Sequence, residues 1–118
     1  MDPMLLREYV DGYDRRRAER LAERDAAAER ARALVPMLAE ACRRRGASRV
    51  RLFGSLVTGR YGATPDVDLA IAGLPPDQFF DLLAELTRLA SPVDVDLIET
   101  ELAPPGLLAR IEAEGVDA

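Results

Sequence analysis

The sequence predicts a mixed α/β domain: a small mixed sheet packed with helices, preceded by a long N-terminal helix. Three observations carry this. The apolar period is helical through the first third of the chain. It turns to a period of two at three short runs, and each run is bounded by Gly or Pro. The resulting order is helix, strand, turn-helix, strand, helix, strand, helix, the alternation of α/β architecture.

Residues 4–34 read as one helix, with no Gly or Pro after Gly12 and an abundance of Ala, Arg, Glu and Leu. Leu6, Val10, Tyr13, Leu21, Ala28 and Val35 form a narrow stripe that Arg17 and Arg24 interrupt. Arg15/Glu19 and Arg20/Glu23 are spaced to bridge along its surface, each pair worth about 0.2–0.5 kcal/mol. Three readings stay open for this segment: a solvated flanking helix, a dimer- or partner-binding helix, or a basic arm. The interspersed acids weigh against the last. Pro36 is expected to break the helix, so the chain divides into an N-terminal helical extension (1–35) and a domain (36–118). A second helix is expected to run to Arg45, with Leu38 and Cys42 on one face and Gly46 as its C-cap.

Arg49–Phe53 alternates as a strand and ends at Gly54-Ser55, and a helical turn is expected over Leu56–Arg60. A loop, Tyr61–Pro65, leads to the strand Asp66–Ile71, closed by Gly73. Pro75-Pro76-Asp77 opens a helix to Leu89, with Asp77 the expected N-cap. Val93–Ile98 is a third strand, and Gly106–Glu114 a last short helix.

Composition narrows the chemistry. The 118 residues fit one domain, 48% hydrophobic but only 5% aromatic, so Leu, Val, Ile and Ala must build the core. There is no His and no Lys: all 16 basic residues are Arg. That excludes His-based acid/base or metal chemistry, a lysine Schiff base and a P-loop lysine. Cys42 is the single cysteine, so no intrachain disulfide forms, and it reads as a small core residue. A net charge of −5 weighs against free-standing nucleic-acid binding. With no signal peptide and no apolar run of membrane-spanning length, a soluble cytoplasmic protein is expected.

The residues that stand out are acidic. Asp66 and Asp68 alternate on a strand and so share a face, about 7 Å apart. Like charges so placed repel, and a divalent cation relieves the repulsion; Mg²⁺ favours carboxylate and phosphate oxygens. Asp94 and Asp96 repeat the arrangement. Taken alone, such a pair is as well explained by a solvent-facing strand edge. Gly54-Ser55, at a strand-to-helix junction, offers close backbone approach and N–H groups for phosphate oxygens, though most Gly-Ser pairs are simple turns.

The combination is more specific. Leu52-Phe53-Gly54-Ser55, Gly59 and, with ten residues between it and Ser55, Asp66-Val67-Asp68-Leu69-Ala70 resemble the minimal nucleotidyltransferase branch of the DNA polymerase β-like nucleotidyltransferase superfamily. Val95–Ile98, Ala103-Pro104-Pro105 and Ile111–Gly115 extend the resemblance over residues 36–115. It implies a polymerase β-like palm. It implies that Gly54 and Ser55 bind the phosphates of ATP, and that Asp66, Asp68 and a third carboxylate bind two Mg²⁺ ions and serve catalysis. Asp96 fits the third place by its distance to Ala103-Pro104-Pro105; Asp94 is the alternative. Two departures stand out: Pro65 where Ser is usual, and Leu56 where many members carry Arg. Arg60 and Arg51 are candidates to replace that charge, although each also reads as a surface residue.

Members of this size resemble antitoxins paired with HEPN-type toxins. The resemblance therefore implies AMP transfer to a hydroxyl of a HEPN-type partner, typically a tyrosine, with the N-terminal helix suited to docking or oligomer formation. The alternatives are a module that neutralises a partner by contact alone, and transfer to a small molecule or RNA end. Tyr61 is a candidate to stack on the base.

Overall fold

The computed structural model describes residues 2–118. Helix α1 runs from Pro3 to Arg44. Its start follows from Asp2, whose side chain accepts from the Met4 N–H at 3.0 Å, and from Pro3, whose missing N–H costs nothing at a first helical position. It ends where the Gly46 N–H reaches the Arg43 carbonyl at 3.0 Å, with Gly46 at φ +110°.

The break expected at Pro36 does not occur; the helix continues through it. Ala31, Val35, Leu38, Ala39, Ala41 and Cys42 lie on both sides of Pro36 and are buried in one core. Burying side chains of this kind at about 1.5–3 kcal/mol for each large one outweighs the roughly 3 kcal/mol an internal proline costs. Pro36 itself is exposed, and the Arg32 carbonyl loses its helical donor to the proline. From Pro3 to Ala27 α1 is a projecting arm, exposed except at Gly12 and partly at Arg24 and Ala27, and it gives the molecule a length of 67 Å. The Arg15/Glu19 and Arg20/Glu23 bridges are not formed among the described residues; ion pairs form instead where α1 meets the domain, as between Arg45 and Glu85 at 2.7 Å.

The sheet has four strands in the order β3-β2-β1-β4. Strand β1 (Arg49–Phe53) pairs antiparallel with β2 (Val67–Ala72) and with β4 (Val116–Asp117), and β2 runs parallel to β3 (Val95–Glu99). A two-residue strand carries no period, so nothing in the sequence marks β4. Helix α2 is Ser55–Thr58, closed by Gly59 in the left-handed conformation, and is shorter than expected. Pro76–Gln78 forms a 3₁₀ turn before α3 (Phe79–Ala90), and no side chain caps α3, so Asp77 is not its N-cap. Helix α4 is Pro105–Glu114.

Alternation along the strands sorts the side chains into two layers. Val50, Leu52, Val67, Leu69, Ile71 and Leu97 face the main core beneath α1 and α3, where Leu38, Leu82 and Leu86 are fully buried. On the opposite face α4 lays Ile111 and Leu107 over Phe53, Ala70 and Ile98. Asp68 and Asp96 precede Ala70 and Ile98 by two residues and so share their face. Among the described residues no helix is long and apolar enough to cross a membrane.

Candidate active site

The sheet register assembles the acidic residues. Asp68 lies opposite Phe53 on β1 and opposite Asp96 on β3, so it stands between the end of one strand and the matching position of another. Its carboxyl is within hydrogen-bonding reach of that of Asp96. Asp66 and Asp94 precede the same two strands, and the Val67 N–H donates to the Asp94 carbonyl at 2.9 Å.

Gly54 follows Phe53 with φ +76°, ψ −151°, a conformation that strongly favours glycine. A second constraint is spatial: a Cβ at Gly54 would collide with the Asp68 carboxylate. The glycine therefore lets β1 turn into α2 directly against an acidic side chain. At the start of α2 the N–H groups of Ser55 and Leu56 have no helical acceptor, while those of Val57 and Thr58 donate to the Gly54 carbonyl, each at 3.1 Å. Arg32 of α1 donates from Nε and Nη2 to the Leu56 carbonyl, each at 3.2 Å, fastening this short helix to the long one.

Electrostatically the cluster is incompletely compensated. The Asp68 carboxyl is pushed up to about 6, first by burial, then by its hydrogen bond to Asp96 and by the charges of Asp96 and Asp66, with Arg110 acting in the opposite sense. Asp66 is also raised, by burial and by the charges of Asp96 and Asp94. Oxygen donors that repel one another suit a hard divalent cation such as Mg²⁺. As they stand, no three carboxylates among the described residues converge on one point.

Arg110 was not picked out from the sequence. The signal was present in the spacing of α4, where Leu107 and Ile111 bury one face and Arg110 flanks it, but its proximity to Asp68 depends on which strand lies beneath. Arg51 does not serve the site: it donates to the Gly115 carbonyl at 2.6 Å and lies 3.7 Å from Asp117, strapping β4 to β1. Arg60 is exposed. Tyr61 is already engaged, since its hydroxyl donates to Asp25 at 2.9 Å and Arg24 and Arg32 lie 5.4 and 5.5 Å from its ring centre. These contacts hold the ring against α1. Cys42 is buried, its thiol pushed up to about 11 mainly by desolvation, which makes it an inert core residue.

Comparison with known proteins agrees with this fold. One solved structure, assigned as a minimal nucleotidyltransferase, is 29% identical with a TM-score of 0.64, the match covering 75% of this chain and 93% of that one. A toxin-antitoxin crystal structure with AMP-PNP shares the fold at 24% identity and a TM-score of 0.56, covering 66% of each chain. A third, the tri-AMPylated Shewanella oneidensis HEPN toxin in complex with MNT antitoxin, shares it at 22% identity and a TM-score of 0.54, covering 70% of this chain and 66% of that one. No match is found among curated proteins. The profile of the family described as Polymerase beta, Nucleotidyltransferase matches residues 38–117, which hold the Gly-Ser turn and all four of these acids. That span is about two thirds of the chain, and the chain belongs to the polymerase beta nucleotidyltransferase family.

Proposed function

We propose that this protein transfers AMP from ATP to a hydroxyl of a partner protein, and that the partner is a HEPN-type toxin which the transfer silences. The observation that carries the reading is the packing of Gly54 against Asp68, with Asp96 in register beside it: a phosphate-holding turn and paired carboxylates at one end of one sheet. The fold-level likeness to chains in toxin-antitoxin complexes supports the partner class.

In this reading the Ser55 hydroxyl and the N–H groups of Ser55 and Leu56 hold the outer phosphates. Asp66, Asp68 and Asp96 would hold Mg²⁺, which when bound acidifies the attacking hydroxyl and neutralises the departing pyrophosphate. Asp96, the more exposed partner of the Asp68–Asp96 pair, takes the hydroxyl proton. The acceptor oxygen bonds to the α-phosphorus, the bond to the β-phosphate oxygen breaks, and pyrophosphate leaves with that electron pair. The exposed part of α1, from Pro3 to Ala27, acts as an accessory docking element that projects from the transferase unit.

The test is incubation with α-labelled ATP, Mg²⁺ and the product of the neighbouring gene, with Asp66→Asn/Asp68→Asn run alongside. Label on the second protein with wild type alone supports the reading. Unlabelled proteins that bind one another equally well with either variant would replace it with neutralisation by contact.

A further inference from the structure

The stripe that buries α1 in the domain does not stop where the domain does. Leu6, Val10, Tyr13 and Leu21 lie on the helix face that Ala28, Val35 and Leu38 continue into the core, yet along the arm that face is open to water. Of the eleven large hydrophobic side chains exposed among the described residues, seven are on the arm. A helix that projects in this way also lacks the packing from which most helical stability comes. Charge along the arm is divided by position. From Asp2 to Asp14 it carries four acids, Asp2, Glu8, Asp11 and Asp14, against Arg7 alone. From Arg15 to Glu23 it carries Arg15, Arg16, Arg17 and Arg20 against Glu19 and Glu23. None of these groups forms an ion pair among the described residues. Arg24 and Asp25, the next two, are taken up by Tyr61.

We propose that the arm pairs antiparallel with the arm of a second copy of this chain. This names an occupant for the docking element above and does not depend on AMP transfer. A two-fold pair needs a surface that complements itself, and an acidic outer half followed by a basic inner half does so in the antiparallel sense only. Each acidic half then lies along the other copy's basic half. A parallel pair would set acid on acid and arginine on arginine. Arg17 fixes the same choice. It interrupts the apolar stripe, is exposed and has no ion-pair partner among the described residues. In a parallel pair it would face its own counterpart. In an antiparallel one it comes opposite the exposed rings of Tyr9 and Tyr13 and near Asp14, which suit a guanidinium. A partner carrying charge of one sign would be attracted by one half and repelled by the other, whereas a second copy supplies both signs in the required order. The exposed run from Pro3 to Ala27 is roughly 37 Å long, so full overlap keeps the two domains at opposite ends of the pair.

The experiment is sedimentation equilibrium of the full chain in EDTA without ATP. Wild type is expected to be a reversible dimer. Glu8→Arg/Asp11→Arg/Asp14→Arg makes the arm basic throughout its length, and Arg15→Glu/Arg17→Glu/Arg20→Glu makes it acidic; all six positions are exposed. Each variant alone is expected to lose at least tenfold in dimer affinity, and an equimolar mixture of the two to dimerise again, which a variant that merely failed to fold would not do. Orientation is read from spin labels on Met4→Cys, since the native Cys42 is buried. The labels should lie roughly 25–35 Å apart across an antiparallel pair, and under about 20 Å across a parallel one. A wild type that stays monomeric, including one that uses the arm only to hold the product of the neighbouring gene, would overturn the proposal. So would a dimer indifferent to both charge reversals, a mixture that fails to associate, or a short label distance. The readout needs neither nucleotide nor turnover, so its failure leaves the transfer reading intact, and a failure of labelling with ATP leaves the dimer standing.

Discussion

Replacing Asp68 by Asn should stabilise the metal-free protein while abolishing transfer. The folded carboxyl sits at about 6 against an ordinary 3.8, because burial and Asp96 disfavour its charge. The folded state therefore binds the proton more tightly than the unfolded chain. The ionised group destabilises the fold above pH 6, the penalty shrinks as pH falls from 6 towards 3.8, and it is gone below that. The separation converts to roughly 3 kcal/mol, and solvent screening of a half-buried group reduces this to about 1–2 kcal/mol. An Asn amide carries no charge and donates to Asp96 as the protonated acid would. Thermal unfolding in EDTA at pH 8 should then show Asp68→Asn melting roughly 4–8 °C above wild type, with the gap closing near pH 4. Adding Mg²⁺-ATP should raise the wild type and not the variant, reversing the order. A variant no more stable than wild type at pH 8 in EDTA would refute the argument that these acids repel within the fold.

The same geometry separates the neighbouring acids. Asp96→Asn should lower AMP transfer at least 100-fold, and Asp94→Asn less than tenfold, measured as label incorporated from α-labelled ATP. Gly54→Ala should cost about 1–2 kcal/mol for its backbone conformation and also displace the Asp68 carboxylate, so a lower melting temperature and weaker ATP binding should appear together. Leu82→Ala, at a fully buried position of α3, should cost about 2–5 kcal/mol in urea unfolding. Arg32→Ala should leave the core intact but release the Leu56 carbonyl that it holds at 3.2 Å, raising the KM for ATP by loosening α2.

The sequence is most informative where chemistry and period coincide. Gly54-Ser55 and Asp66-x-Asp68 can be found because strand alternation places both acids on one face before any fold is known. Strand limits shift by one or two residues at the N-terminal ends, since Asp66 and Asp94 lie just before the hydrogen-bonded ladder and not within it. Pro36 misleads because a local penalty is weighed without the long-range burial of Val35, Leu38 and Ala39. Arg110 remains hidden for a related reason: it meets Asp68 only through the packing of α4 over the sheet, which joins residues far apart in the chain. The pairing of Asp68 with Asp96 needs the parallel register of β2 and β3, which no single segment encodes.

Strand β3, which carries Asp96 and follows Asp94, is one of the sheet's two edge strands, with no neighbour on its far side. An open strand of Val, Leu and Ile would be a template for strands of other molecules, and charge along it is a means of preventing such growth. The acids assigned here to catalysis and to its flank thus also protect the protein from its own edge. A lineage that lost transfer activity would still be under pressure to retain them, so their persistence in an inactive relative would be no sign of remaining catalysis.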